Sequence, residues 1–195
     1  MRASIRLPLN GLLLCVTLGI AAWDVRADER TVLRGVVVGV IDGDTADVRL
    51  DSGMIRIRFH AIDAPESGQP YGQAAKQALS TLIFGRQVEV EPFEQDRYDR
   101  LVARVWLDRL DVNAELVKRG YAWTYRRYAD DPAYCTYEQA AREQRLGLWR
   151  LAREERVAPW EWRQRRSRTG PFTDYSGETV ATCVAALGRR AGDGP

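Results

Sequence analysis

Three short stretches gather carboxylate and guanidinium groups: Asp42-Gly43-Asp44-Thr45, Arg58 to Glu66 (RFHAIDAPE) and Asp96 to Arg100 (DRYDR). A phosphodiester anion repels nucleophiles. Cleaving it needs positive charge around the non-bridging oxygens, a group that orients the attacking water, and help for the departing oxygen. These residue types can supply each part. Asp44, at the start of one predicted strand, and Asp63, at the end of another, converge if those strands neighbour each other in a barrel. Two carboxylates with backbone carbonyls at a barrel rim make a hard-oxygen site suited to Ca²⁺ or Mg²⁺. Glu66, just after Pro65, can orient or deprotonate water, while Arg58 and Arg100 can clamp phosphate oxygens. Arg97 and Tyr98, beside Arg100, are further candidates for substrate contact.

Taken singly, each stretch has a plainer reading. Asp-Gly between strands is a common turn signal. Asp-Ala-Pro-Glu can end a strand and cap the helix that follows, and Asp42 to Asp47 does not match an EF-hand loop. The single histidine, His60, alternates with its strand neighbours and reads as structural, so a His-based nucleophile scheme is not available. It is the combination of the stretches that carries the chemistry.

The elements that must position these residues follow from periodicity. Thr31 to Ile41, Thr45 to Leu50 and Met54 to Ile62 read as strands, with Asp51-Ser52-Gly53 as the turn between the last two. Tyr71 to Phe84 has helical spacing, with Ala75, Leu79, Leu82 and Ile83 on one face and Gly85 ending it. Gln87 to Phe93 and Leu101 to Leu107 are two further strands; helices are expected over Val112 to Arg119 and roughly Ala133 to Leu146. Five short strands interleaved with a helix, followed by two more helices, predict an α+β domain on a five-stranded Greek-key barrel of OB type.

Residues 1–27 read as a signal peptide: a basic start, an apolar run from Gly11 to Ala22, and Val25-Arg26-Ala27 before the cleavage point. An uncleaved anchor helix is the alternative, although the run is short for a span of about 20 residues. Processing leaves a periplasmic or secreted chain without stable membrane association and, by default, monomeric. The domain then covers residues 28–150, and residues 151–195 form an irregular extension rich in Trp and Arg. The formal net charge of +2 is accounted for by Arg2, Arg6 and Arg26 against Asp24, so bulk charge gives no argument for nucleic-acid binding. In the extension, Trp160, Trp162 and the arginines at 163, 165, 166 and 168 either track a nucleic-acid strand or cover the barrel while the arginines face water. Cys135 and Cys183 would pair in an oxidising compartment, the alternative being two free thiols.

The order IDGDT (Ile41 to Thr45), R-x-x-x-x-DxPE (Arg58 with Ile62 to Glu66), D-[KR]-Y-x-R (Asp96 to Arg100), N-x-x-L-V-x-x-G (Asn113 to Gly120) and GLW (Gly147 to Trp149) resembles staphylococcal nuclease and the wider thermonuclease-like family, over roughly residues 32–149. The resemblance implies a calcium-dependent barrel nuclease that cleaves DNA and RNA with little sequence preference and leaves a 3′-phosphate. It implies Asp44 and Asp63 as side-chain metal ligands, the backbone carbonyl of Ala64 as a third, and Arg58, Glu66 and Arg100 as the catalytic trio. Tyr125 or Tyr128 would stack on a base, a packed aromatic being the alternative. Two positions depart from the staphylococcal pattern: Ala64 replaces Thr, and Asp99 stands where that pattern has Gly. The rival reading is a nucleic-acid-binding module that keeps the barrel and has lost the chemistry.

Overall fold

A computed structural model of the protein describes residues 31–165, 167 and 170–188. The expected signal peptide, Arg166 and Arg168 lie outside the described residues. Strands β1 (Leu33–Asp42), β2 (Thr45–Leu50) and β3 (Gly53–Phe59) form an antiparallel meander. Strand β5 (Gln87–Gln95) pairs with β1, and β6 (Leu101–Leu107) pairs with β5. A parallel pairing of β3 with β6 closes the barrel, which abolishes its free edges. The strand order 1-2-3-6-5 around the closure is the OB arrangement expected from the sequence.

Alternation builds the interior. Ala46 and Val48 of β2, Ile57 and Phe59 of β3, Val88 and Val90 of β5, and Ala103 and Val105 of β6 are all buried. Arg56 and Arg58 occupy the intervening positions of β3. Helix α1 (Gly72–Ile83) closes one side of this core through Ala75, Leu79 and Ile83, the i, i+4 stripe read from the sequence. Helix α2 (Val112–Lys118) follows the two-residue strand β7 (Leu110–Asp111); Asp111 caps it by accepting a hydrogen bond from the Ala114 amide at 2.9 Å.

The third strand does not run to Ile62. It ends at Phe59, and Ala61 turns into the left-handed region at φ 65°. The turn is held by hydrogen bonds from the His60 amide to Ala103 O (2.8 Å) and from Asn113 Nδ2 to His60 O (3.0 Å). Ile62–Asp63 then forms a separate strand, β4, paired antiparallel with β8 (Trp123–Thr124). Helix α3 (Ala133–Glu143) also stops before Leu146.

The C-terminal segment, largely irregular among its described residues, carries two short helices and packs on the barrel domain. Pro159 opens a short helix, α4 (Pro159–Arg163), instead of breaking one, because proline suits the first helical position. A second short helix, α5 (Val180–Ala185), brings the α-helices among the described residues to five, beside two short 3-10 turns, where about three helices were expected. A core of its own seats this segment: Trp123, Leu148, Trp149 and Ala158 are buried together, with Trp160 and Tyr175 packed against them. Indole and phenol rings bury large areas, and this supplies the driving force that a local reading of PWEWRQRR does not reveal. Two polar ties secure it. Cys135 and Cys183 are joined, with Cα atoms 5.8 Å apart. Glu138, 1 % exposed, accepts from Arg126 Nη2 (2.7 Å), Arg142 Nη2 (2.5 Å) and the Thr124 amide (2.7 Å), while Arg126 also pairs with Glu178.

Candidate active site

The β1–β2 turn and the end of β3 share one rim of the barrel, because Thr45 is the cross-strand partner of Arg58. Asp44, 5 % exposed, follows Gly43, and the turn is pinned by a hydrogen bond from the Asp44 amide to Asp42 Oδ1 at 3.1 Å. Gly43 is required by close approach: a Cβ there would stand 2.7 Å from the Ala64 Cβ and 2.8 Å from the Ala75 Cβ. The turn therefore sits directly on the Asp63–Ala64 segment, and the Ala64 amide donates to Asp44 Oδ2 at 2.5 Å. Asp63, 1 % exposed, is delivered to the same place by β4.

Arg58 joins the two carboxylates. Its Nη1 lies 3.0 Å from Asp44 Oδ2 and its Nη2 2.8 Å from Asp63 Oδ1. Burial raises the Asp44 carboxyl well above its ordinary value, helped by Asp42 and Asp63 and opposed by Arg58. Burial works against the charge on Arg58, but Asp44 and Asp63 outweigh it and raise the guanidinium. Asp42 and Asp63 each disfavour the charge on Asp44, so further positive charge is favoured beside it.

Glu66 stands on the loop after Pro65, half-exposed, with its amide donating to Gln69 Oε1 at 3.2 Å. Gln69 Nε2 in turn donates to Val157 O, so this loop rests on the C-terminal segment. From that segment comes a residue that sequence reasoning left among solvent-facing or strand-tracking arginines. Arg163 Nη1 and Nη2 donate to Asp63 Oδ1 (3.1 Å) and Oδ2 (2.7 Å), and Nη1 also reaches Glu66 Oε1 at 2.8 Å.

The Asp96–Arg100 loop stays apart from this cluster in its hydrogen bonding. Leu101 pairs with Ile57 and Val102 with Arg58, which sets Arg100 two residues before the neighbour of Arg58. Its guanidinium is held by Asp96 through Nε (2.8 Å) and Nη2 (2.7 Å). Asp99 takes φ 59°. That conformation explains the departure at this position, since Gly adopts it freely and Asp tolerates it better than most residues. Arg97 and Arg100 lie over the exposed ring of Tyr98, 4.9 and 5.4 Å from its centroid. His60 stacks on Phe93 with ring centroids 3.9 Å apart, in keeping with a structural part. Tyr125 is stacked on Trp160 at 5.4 Å and so is a packed aromatic in this arrangement, while Tyr128, 44 % exposed, meets its edge at 4.8 Å.

Among the described residues no group of three or more His, Cys, Asp or Glu side chains is placed to hold a metal ion. The donor set that does converge is Asp44 and Asp63, bridged by Arg58. That set fits a hard cation which keeps part of its water, and does not fit a soft, fully protein-ligated one. A cavity of about 350 Å³ between α1 and α2, lined by Tyr71, Gln77, Leu82, Glu115 and Tyr121, includes none of these carboxylates. The chemistry belongs to the open rim.

The fold is an OB barrel with two buried carboxylates sharing one guanidinium at its rim. The family described as "Staphylococcal nuclease homologue" matches residues 56–151, which leaves out β1 and β2 of the same barrel. Protein ParB of Escherichia coli is 43 % identical over 143 residues, covering 68 % of this chain and 80 % of that protein. A protein of Escherichia coli O157:H7 named as an uncharacterized endonuclease is 38 % identical over 152 residues, 77 % of this chain and 96 % of its own. A micrococcal nuclease of Shigella flexneri is 42 % identical over 142 residues, 67 % of this chain and 80 % of its own. The chain belongs to the staphylococcal nuclease family, and it is a nuclease.

Proposed function

We propose that the chain is an exported, calcium-dependent nuclease that hydrolyses DNA and RNA with little sequence preference. The observation that carries this reading is the convergence of Asp44, from the β1–β2 turn, and Asp63, from β4, on the buried fork of Arg58, with Glu66 joined to Asp63 through Arg163. Asp44, Asp63 and the Ala64 carbonyl would hold the cation, which supplies positive charge against the phosphate oxygens when bound. Glu66 orients the attacking water and accepts its proton. Arg58 serves twice, fixing the two carboxylates and offering charge to the equatorial oxygens as the transition state forms. Arg100 brings a second guanidinium from the β5–β6 loop, with Asp96 setting its orientation. Arg97, Tyr98 and Tyr128 are exposed beside these groups and contact the flanking strand.

Export is supported by the apolar run Gly11 to Ala22 and by the joined cysteines, which suit an oxidising compartment. Mass measurement on protein recovered from cell fractions checks it: loss of residues 1–27 outside the cytoplasm is expected, and an intact chain in the cytoplasm contradicts it. The chemistry is checked by digesting labelled DNA and RNA with calcium, magnesium or chelator and analysing the ends. Calcium-dependent cleavage of both, leaving 3′-phosphates, is expected; 5′-phosphate ends, or cleavage that persists in chelator, would contradict it.

A further inference from the structure

Arg163 is exceptional among the described arginines of the C-terminal segment. Its side chain is 41 % exposed, yet its fork engages Asp63, which is 1 % exposed, through both carboxylate oxygens. The same guanidinium reaches Glu66 Oε1, so one residue holds a carboxylate assigned to the cation and the carboxylate assigned to water.

The placement is built, not incidental. Trp160, one turn earlier on α4, is stacked on Tyr125 and meets Trp123 edge-on at 5.9 Å. Buried Glu161 accepts from the Thr173 amide at 2.9 Å, fixing the chain on the far side of the helix. Gln69 links the Glu66 loop to Val157, just ahead of α4. These ties converge on the few residues that carry Arg163 to the rim.

We propose that Arg163 is a positioning residue of the nuclease site that competes with the divalent cation for Asp63. A planar guanidinium bound in parallel to both oxygens of a carboxylate satisfies the lone pairs that would face a metal ion. Arg58 already takes Asp63 Oδ1, so Oδ2 is the oxygen for which cation and Arg163 contend. Binding of the cation and binding of Arg163 are then linked with negative sign, and the C-terminal segment sets the calcium concentration at which the site loads. The inference rests on the assignment of Asp63 as a cation ligand.

Titration calorimetry with calcium alone, on the full chain and without nucleic acid, tests it through three variants. Arg163→Ala and Arg163→Gln, the second keeping much of the side-chain stem, are expected to bind calcium about five- to a hundredfold more tightly than the unaltered protein. Unchanged or weaker calcium binding in both variants overturns the competition. Asp63→Asn is the control for the underlying assignment and should lose calcium binding. If it does lose it while the Arg163 variants bind as before, only the competition falls. If Asp63→Asn binds calcium normally, the cation site and the competition fall together.

Discussion

Gly72 lies directly against the main-chain carbonyl of Glu66: a Cβ at residue 72 would stand 1.9 Å from that oxygen. Helix α1 thereby fixes the loop that carries the proposed base, because the obstruction is backbone and cannot swing aside. Gly72→Ala must displace either the Pro65–Glu66 loop or the first turn of α1. Steady-state kinetics on DNA should show kcat lowered about a hundredfold with KM little altered, since misplacing a reacting group by about 1 Å has effects of that order. Unchanged kcat would mean that the position of Glu66 does not govern turnover.

Arg58→Ala would leave Asp44 and Asp63 buried without their shared partner, and breaking such a pair typically destabilises by about 3–5 kcal/mol. Arg58→Lys restores a charge but not the fork that spans both carboxylates. Urea unfolding should rank the unaltered protein above Arg58→Lys and that above Arg58→Ala. Turnover should fall about 10²–10³-fold in both, as for loss of a transition-state donor.

The buried ion pairs of Glu138, which tie down the C-terminal segment, give a pH signature of their own. Burial disfavours the Glu138 carboxylate, but Arg126 and Arg142 outweigh it and hold the carboxyl below its ordinary value. A group depressed on folding stabilises above its unfolded value, about 4.3 for Glu, and that contribution disappears as pH falls through the lower folded value. Melting temperatures should therefore drop on acidification below about pH 4.3, and the difference between the unaltered protein and Glu138→Gln should shrink over the same range. A difference independent of pH would remove Glu138 from the account.

Joining Cys135 to Cys183 closes a loop with a sequence separation of 48, worth about 4 kcal/mol in the chain-entropy treatment. Reductant, or Cys183→Ser, should lower the urea midpoint by a corresponding amount and loosen the segment that carries α4. Identical midpoints with and without reductant would contradict this.

The barrel was legible because β2, β3, β5 and β6 alternate with a period of two and α1 keeps a clear i, i+4 stripe. The convergence of Asp44 with Asp63 followed from placing two strand ends at one rim. What was not legible depends on distant partners. The break at Ala61 is held by Asn113 and Ala103, far along the chain, and leaves no local signal because alanine carries no preference for a positive φ. The short helices α4 and α5 are stabilised by Trp123, Tyr175 and the Glu138 ion pairs, not by helical periodicity. Arg163 was one basic residue in a basic run. Only the tertiary contacts with Asp63 and Glu66 distinguish it from Arg165, which instead lies over the ring of Trp162 at 4.6 Å.

The most direct test of the account compares the unaltered protein with Glu66→Gln on supercoiled plasmid in calcium, with substrate binding measured in parallel. Cleavage that chelator abolishes, turnover lowered at least about a hundredfold in the variant, and DNA binding retained by both are expected. Cleavage by Glu66→Gln at the unaltered rate, or cleavage that persists in chelator, would contradict it.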